Sequence, residues 1–364
     1  MTNPFQEKLT TLSQLEKRRE LIPIKGIDFS SNDYLGLAHH DGIRQCLMDA
    51  LADGMALGSG GSRLLRGNHP EHENLESFAA EFFGAEAALY MATGYLANVC
   101  VFTTLPQRGD VIIVDELEHA SAKEGIHASL AKSIKFAHND VQACEDAIKR
   151  ARANGAKDIW IAVESVYSMD GDVAPLDELL EIADRHGAYL IVDEAHATGV
   201  HGPGGKGLAA VFEGRENLIV VHTCGKALGQ AGAIVTCTTV MKDYIINAAR
   251  SFIYTTAPTP LSALAVQKAL EVVRDEPERR EQLHALIQHA HQKFPSDIST
   301  TQIIPLMVGE DGAAFALAKQ LQAKGFDIRA IRTPTVPKGS ARLRLSVTLN
   351  VTTDDIDALA SAYE

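Results

Sequence analysis

Between residues 87 and 237 short apolar runs recur, each separated from the next by a stretch with helical spacing. The runs are "AALYM" (87–91), "VIIVD" (111–115), "IKFA" (134–137), "IWIAVES" (159–165), "AYLIVDEA" (188–195), "LIVVHT" (218–223) and "AIVTC" (233–237). Most are continuous rather than alternating, the pattern of strands covered on both faces. The spacers include amphipathic stretches such as "VQACEDAIKRARANG" and "LDELLEIADRHG", the second closing on a glycine stop. Strand, helix, strand repeated in this way implies an open, mainly parallel sheet with helices on both sides. In such sheets ligands sit beyond the carboxyl ends of the strands, so the functional residues are expected there.

After about residue 240 the rhythm changes. A long helical stretch (262–294) leads to "IIPLMVG", a helix "GAAFALAKQLQAKG", then "FDIRAIR", "ARLRLSVTL" and a closing helix in "TTDDIDALASAYE". At 364 residues the chain is long for one domain. The expected division is an amino-terminal arm over 1–40, a large α/β domain over 41–240 and a smaller α+β domain over 241–364.

The net charge of −13 argues against a nucleic-acid partner, whose phosphates call for clustered Lys and Arg. No apolar run approaches the length of a membrane span, and "MTNPFQEKLTTLSQLEKRRE" lacks the apolar core of a signal peptide. The five cysteines are odd in number and never spaced as C-x-x-C, so neither a disulfide framework nor a zinc knuckle is suggested. A cytoplasmic location is expected.

Polar groups gather at the expected strand ends: Thr93 to Tyr95, His119, Glu164 to Ser168, Asp193 with His196, and Thr223 to Lys226. The stretch "VDEAHATG" (192–199) shares four letters with the magnesium-binding box of helicases. That reading requires a G-x-x-x-x-G-K-[ST] loop upstream, and none exists; "GPGGKG" lies downstream, and its Gly-Lys is followed by Gly207, not Ser or Thr. A dinucleotide site fails too, because "GSGGSR" (58–63) follows a helical stretch rather than a strand. No metal site is expected, since His196 and His201 are not at helical i, i+4 spacing. A different constellation fits better. Lys226 lies in a small-residue loop after a strand, where a lysine of lowered pKa can bond to an aldehyde cofactor. Pyridoxal phosphate then needs a carboxylate at its ring nitrogen, donors for its phosphate and a partner for its ring face. Asp193, the "TGY" turn with Thr223, and His119 supply these in turn.

On the blocks "SNDYLGL", "GSGGSRLLRGNHPEHENLE", "TGYLAN", "DELEHAS", "ESVYSMDGDVAPL", "VDEAHATGVHGPGGKG", "GKALG" and "AIRTPTVPKGSARLRLSVTL", the chain resembles the α-oxoamine synthase family of fold-type I pyridoxal-phosphate enzymes. The blocks span nearly the whole chain. The resemblance implies pyridoxal 5'-phosphate bonded to Lys226, with Asp193 at the pyridine nitrogen, His196 at the phenolic oxygen and His119 stacked on the ring. Gly94, Tyr95 and Thr223 would contact the phosphate, and Ser168 would belong to the pocket. Asn32, Thr335 and Arg344 would face the substrates together with His119. Thr255 and Thr256 of "YTTAP" would reach the phosphate of the partner subunit in a homodimer. The amino-terminal substrate arginine falls on Arg18 or Arg19, and counting back from Pro23 favours Arg19. Ala197 departs from the glycine common at that position in the family.

The implied activity is a decarboxylative condensation of L-alanine with a pimeloyl thioester, on coenzyme A or acyl carrier protein. It would give 8-amino-7-oxononanoate for biotin biosynthesis. Two other readings stand beside it: another α-oxoamine synthase using glycine or serine with a different thioester, and a non-catalytic ligand-binding protein on the same fold. Lys226, Asp193 and His119 occurring together argue against the second. Within "ARLRLSVTL" the strand period places Arg342 and Arg344 on one side, and the resemblance assigns the substrate carboxylate to Arg344.

Overall fold

The computed structural model describes residues 3–15 and 17–364. Helix α1 (Pro4–Gln14) carries no buried residue, and the chain from 17 to 26 has no regular structure. A short strand β1 (Ile27–Asp28) follows, and then α2 (Asp41–Ala52) and α3 (Pro70–Phe83) lead into the main sheet.

That sheet begins with β2 (Ala87–Met91), α4 (Gly94–Thr104), β3 (Val111–Asp115), α5 (Ala120–Ala128), β4 (Lys132–Phe136) and α6 (Val141–Ala153). It continues through β5 (Ile159–Glu164), α7 (Leu176–His186), β6 (Tyr189–Asp193), β7 (Leu218–Thr223) and β8 (Ala233–Cys237). The strand order is β2-β8-β7-β6-β5-β3-β4, and only β8 runs against its neighbours. The apolar runs are continuous because both faces are covered. Ile113, Ile161, Val163, Leu190 and Val220 pack on Ile148 of α6 and Leu179 and Leu180 of α7. The intervening Ile112, Val114, Ala162, Ile191 and Val221 pack on Ala97 and Val101 of α4 and Ala122 of α5. Each such aliphatic side chain contributes about 1.5–3 kcal/mol on leaving water. Helix α7 stops where Gly187 takes a left-handed φ of 55°, a conformation glycine adopts without a Cβ clash.

Beyond the sheet come α8 (Thr239–Ala248) and α9 (Arg250–Ile253). The single long helix expected over 262–294 is two: α10 (Pro260–Asp275) and α11 (Pro277–Lys293). Pro277 cannot donate a backbone hydrogen bond and pushes the preceding Glu276 out of the helical region, to φ −119° and ψ 65°.

The remaining elements are β9 (Ile303–Gly309), α12 (Asp311–Ala323), β10 (Phe326–Asp327), β11 (Arg329–Ile331), β12 (Ala341–Ser346) and α13 (Thr353–Tyr363). They form a smaller antiparallel sheet, β11-β12-β9, with β12 at its centre. Residues 27–37 are sewn into this part of the molecule. Strand β1 pairs with β10, Ser346 N–H donates to Phe29 O, and Leu349 N–H donates to Tyr34 O. Phe29, Tyr34, Leu35 and Leu37 are buried as a result, which brings Asn32 and Tyr34 beside β12.

Candidate active site

Asp115, Glu164, Asp193 and Thr223 end β3, β5, β6 and β7 on one edge of the sheet, and Thr93 and Gly94 follow β2 there. A cavity of about 310 Å³ opens between them, lined by Gly94, Tyr95, Asn98, His119, Asp193 and Lys226, with Asn32, Glu164 and Thr223 also in its wall. A second cavity of about 520 Å³ shares His119 and is walled by Leu117, Tyr167, Ser168, Met169, Thr335 and Val336, among others.

Lys226 lies in the loop between β7 and β8. Buried Ala227 and Leu228 anchor this loop, and Gly229 N–H donating to Lys226 O turns it. Burial lowers the pKa of its amine, against the pull of Asp193 and Glu164, so a larger share is the nucleophilic free amine. The Asp193 carboxylate is 5% exposed and rigidly held. Ala195 N–H donates to Oδ1 at 2.9 Å, and Asn98 Nδ2 donates to Oδ2 at 2.7 Å. Asn98 also donates to Ser121 Oγ at 2.9 Å, and that hydroxyl lies 2.7 Å from His119 Nδ1. Because Ser121 N–H also donates to His119 Nδ1, this nitrogen is an acceptor and the ring proton belongs on Nε2. Burial lowers the His119 pKa as well, in keeping with a neutral imidazole.

His196 is buried behind the cleft, its Nδ1 2.6 Å from the Tyr34 hydroxyl. Burial first, and then the charges of Lys226 and Arg344, hold its pKa well below the ordinary histidine value. Arg344 is buried too. Its Nε donates to Ser168 O at 2.6 Å, and Nη1 donates to Asn32 Oδ1 at 3.0 Å and Ser346 Oγ at 2.7 Å. Nη2 makes only a long 3.5 Å contact to Tyr34 and keeps a donor to offer. Arg342 lies on the same side of β12, in an ion pair with Asp170. Neither arginine is a solvated edge charge, because β12 is the central strand of its sheet.

Glu164 is a further buried group facing the cleft. Burial and the Asp193 charge push its pKa up to about 8, while Ser168 N–H donates to its Oε2.

Not every expected residue is brought here. Arg19, expected to face the substrate, is exposed and lines neither cavity, because the segment carrying it runs over the surface without regular structure. Its neighbour Lys17 donates to Thr333 Oγ1 at 2.9 Å instead. Thr255 and Thr256 follow α9 and lie outside this chain's own cavities. Asn98, Ser121 and Tyr34 were not singled out by sequence. Each nevertheless lies inside a block quoted above: "TGYLAN", "DELEHAS" and "SNDYLGL".

A family model described as aminotransferase class I and II matches residues 24–362. An 8-amino-7-oxononanoate synthase from Chromobacterium violaceum is 43% identical over 338 residues, covering 92% of this chain and 87% of that protein. The chain belongs to the aminotransferase class I and II family, as an α-oxoamine synthase. Solved structures agree. That of 8-amino-7-oxononanoate synthase from Francisella tularensis superposes with a TM-score of 0.79 at 28% identity, covering 93% of this chain and 96% of that one. A serine palmitoyltransferase from S. paucimobilis reaches a TM-score of 0.90 over 99% of this chain and 95% of that one; at 24% identity it speaks for the fold.

α-Oxoamine synthases are pyridoxal-phosphate acyltransferases, and the residues of the cleft fit that cofactor. Thr223 Oγ1 is buried without a hydrogen-bond partner, a donor awaiting an acceptor. The Thr223 side chain packs through its methyl on the first turn of α4, where Gly94 and Tyr95 present N–H groups without intrahelical partners, the usual seat of an anion. A Cβ at Gly94 would come within 2.5 Å of the Thr223 side chain, so only glycine allows this approach. His119, Asp193 and Lys226 line the same cavity as this turn, so they are the residues that would hold the rest of the cofactor.

Proposed function

We propose that this α-oxoamine synthase condenses L-alanine with a pimeloyl thioester, carried on coenzyme A or acyl carrier protein, to give 8-amino-7-oxononanoate, carbon dioxide and free thiol in biotin biosynthesis. One observation carries the reading: the cleft holding Lys226 and Asp193 shares His119 with a larger, mainly apolar cavity of a size for an acyl chain.

The proposed roles are those the resemblance implies, and the shared cleft supports them. Lys226 would hold the cofactor through its aldehyde, and its amine, once free, would take the proton from the alanine α-carbon. Bound in the cleft, the cofactor supplies an electron sink for the charge left at that carbon. Asp193 keeps the proton on the pyridine nitrogen, because an adjacent anion favours the charged form. His119 would partner a face of the ring, and His196 would hold its phenolic oxygen. Asn32 Oδ1 accepts from both Arg344 and Tyr34, which turns its Nδ2 away from them. Arg344 Nη2 and Asn32 Nδ2 together orient the alanine carboxylate until it leaves as carbon dioxide. The thioester enters from the side of Thr335. Its acyl carbon would bond to the alanine α-carbon as the thiolate leaves and takes a proton; once carbon dioxide has gone, the α-carbon would take back a proton, which the Lys226 ammonium is placed to return.

The test is product analysis by mass spectrometry with L-alanine and pimeloyl thioester. Glycine, L-serine and other acyl thioesters run alongside. A product from glycine or serine only would replace this assignment with another α-oxoamine synthase.

Arg344→Lys should raise the alanine dissociation constant roughly ten- to hundredfold. A charge-assisted hydrogen bond is worth about 1.5–3 kcal/mol, and lysine's single ammonium cannot keep both the anchoring bonds and the substrate bond. Arg342→Lys keeps a cation beside Asp170 and should change the constant little. Spectrophotometric titration of each holoenzyme with L-alanine measures both, and equal effects would remove Arg344 from its role.

The working unit is proposed to be a cytoplasmic homodimer. Among the described residues no helix is long and apolar enough to cross a membrane. Large apolar side chains stand exposed near the residues assigned to the partner's phosphate: Tyr254 at 77% and, elsewhere on the chain, Leu57 at 74% and Leu65 at 80%. Mixing Lys226→Ala subunits with Thr256→Val subunits should recover a fraction of activity, since each heterodimer then holds one intact site. A fully active monomer at assay concentration would refute the shared site.

A further inference from the structure

His138, in the loop between β4 and α6, lies between two carboxylates. Its Nδ1 is 3.0 Å from Asp115 Oδ1 at the end of β3, and its Nε2 is 2.7 Å from Asp172 Oδ2 in the loop after β5. Asp115 is wholly buried, and its oxygens also accept from Leu117 N–H at 2.8 Å and Asn139 N–H at 2.9 Å. Asn139, the one described non-glycine residue with a positive φ (54°), donates its side-chain amide to Asp172 at 2.8 Å. The Tyr167 ring meets the imidazole edge-on at 4.4 Å between centroids. Two hydrogen bonds to carboxylates require a proton on each ring nitrogen, so the geometry itself describes an imidazolium.

We infer that His138 is a positioning residue: a brace between two carboxylates that ties the loop after β3 to the loop after β5 and so sets the two walls of the acyl cavity. This rests on the function proposed above. The loop after β3 carries Leu117, Glu118 and His119. The loop after β5 carries Tyr167, Ser168 and Asp170, whose groups hold Arg344 and Arg342. A shift between the loops would move the ring partner and the carboxylate clamp relative to each other. Of the cavity-lining residues, Tyr167 meets the His138 ring edge-on.

Several groups face this imidazole. Asp115 and Glu116 approach from the end of β3, Glu116 through Oε1 accepting from His138 N–H at 3.1 Å; Tyr167 and Asp172 come from the loop after β5. On α6 the buried Cys144 thiol is pushed up to about 12 by burial and by Asp115, so it stays neutral. Burial alone would lower the His138 pKa, but the bonds and charges of Asp115 and Asp172 outweigh it and raise the pKa to about 10. A pKa above the unfolded value of about 6.5 means stabilisation that is complete below about pH 6.5 and lost as the pH climbs through about 10.

Four measurements test the brace. In the wild-type protein, NMR titration should show the His138 imidazole doubly protonated from pH 6 to about 9, as its raised pKa demands. His138→Gln leaves two carboxylates facing each other; kcat/KM for the acyl thioester should fall roughly tenfold or more at pH 8, with a smaller rise in the alanine dissociation constant through the Ser168 hold on Arg344. Lowering the pH should shrink that loss, because one carboxylate then takes up a proton. His138→Arg restores a cation between the carboxylates, and His138→Gln with Asp172→Asn removes the repulsion between them, so each should recover much of the activity. An imidazole that loses its proton near pH 6.5 would overturn the inference. So would a loss in His138→Gln that is equal at every pH and unrelieved by either rescue. Should His138→Gln not fold, the titration and the double variant decide the matter. Wild-type protein that makes no product from any amino acid and thioester would sink the proposed function alone, and the titration would still read the brace.

Discussion

Lys226→Ala should abolish turnover, with a loss of at least about a thousandfold, and borohydride should no longer fix the cofactor to the protein. In the wild type the same treatment should mark the peptide containing Lys226. The expectation rests on position and environment together. Lys226 is the lysine lining the cavity, its amine pKa is lowered by burial, and Asp193 shares the same wall. The competing lysine in sequence is Lys206 of "GPGGKG". Its amine instead lies 5.4 Å over the Phe82 ring and lines neither cavity. Modification on Lys206, or normal turnover in Lys226→Ala, would overturn the assignment.

The strands at the centre of the large sheet were legible because burial on both faces writes itself as an unbroken apolar run. β3, β7 and β8 have the bounds their runs suggested, and so has β2, an edge strand whose residues are all buried. β4 begins earlier, at Lys132, than its apolar letters at 134–137. It is an edge strand paired only with β3, so Lys132 and Ser133 can be exposed and carry no apolar signal. The long helix over 262–294 failed at Pro277, where apolar spacing continues across a residue that cannot continue the hydrogen bonding.

The candidate site divides the same way. Lys226, Asp193 and Thr223 were readable because each ends or follows a strand. Tyr34 and Asn32 reach the site through pairing between β1 and β10, a contact between residues some three hundred positions apart, to which no local pattern points. Asn98 and Ser121 sit on helices and matter through what they hold. Their signal is a polar residue buried in an apolar helix, as Asn98 is in α4, 2% exposed among Ala97, Cys100 and Val101. A buried amide must be hydrogen-bonded, and that requirement alone would have marked it.

That amide enters the second large effect. Asp193→Asn should retain cofactor, seen by its absorbance, yet lose roughly 10²–10³ in kcat, the usual cost of removing one preorganised electrostatic partner. A neutral amide cannot hold a proton on the pyridine nitrogen, so charge left at the alanine α-carbon loses its sink. The substitution also strikes a network. Both oxygens of Asp193 accept, one from Ala195 N–H and one from Asn98 Nδ2. In the variant one of these donors must face an NH2 group. Relief would require Asn98 to turn over and present its unpartnered Oδ1, which breaks its bond to Ser121 and loosens His119. Asn98→Ala separates the two contributions, because it removes the support while leaving the carboxylate. Its loss should be well below that of Asp193→Asn and should fall mainly on the reaction with thioester, where His119 faces the acyl cavity. Turnover near normal in Asp193→Asn would end the argument for charge at the ring nitrogen. Equal losses in the two variants would transfer the effect from charge to the positioning of His119.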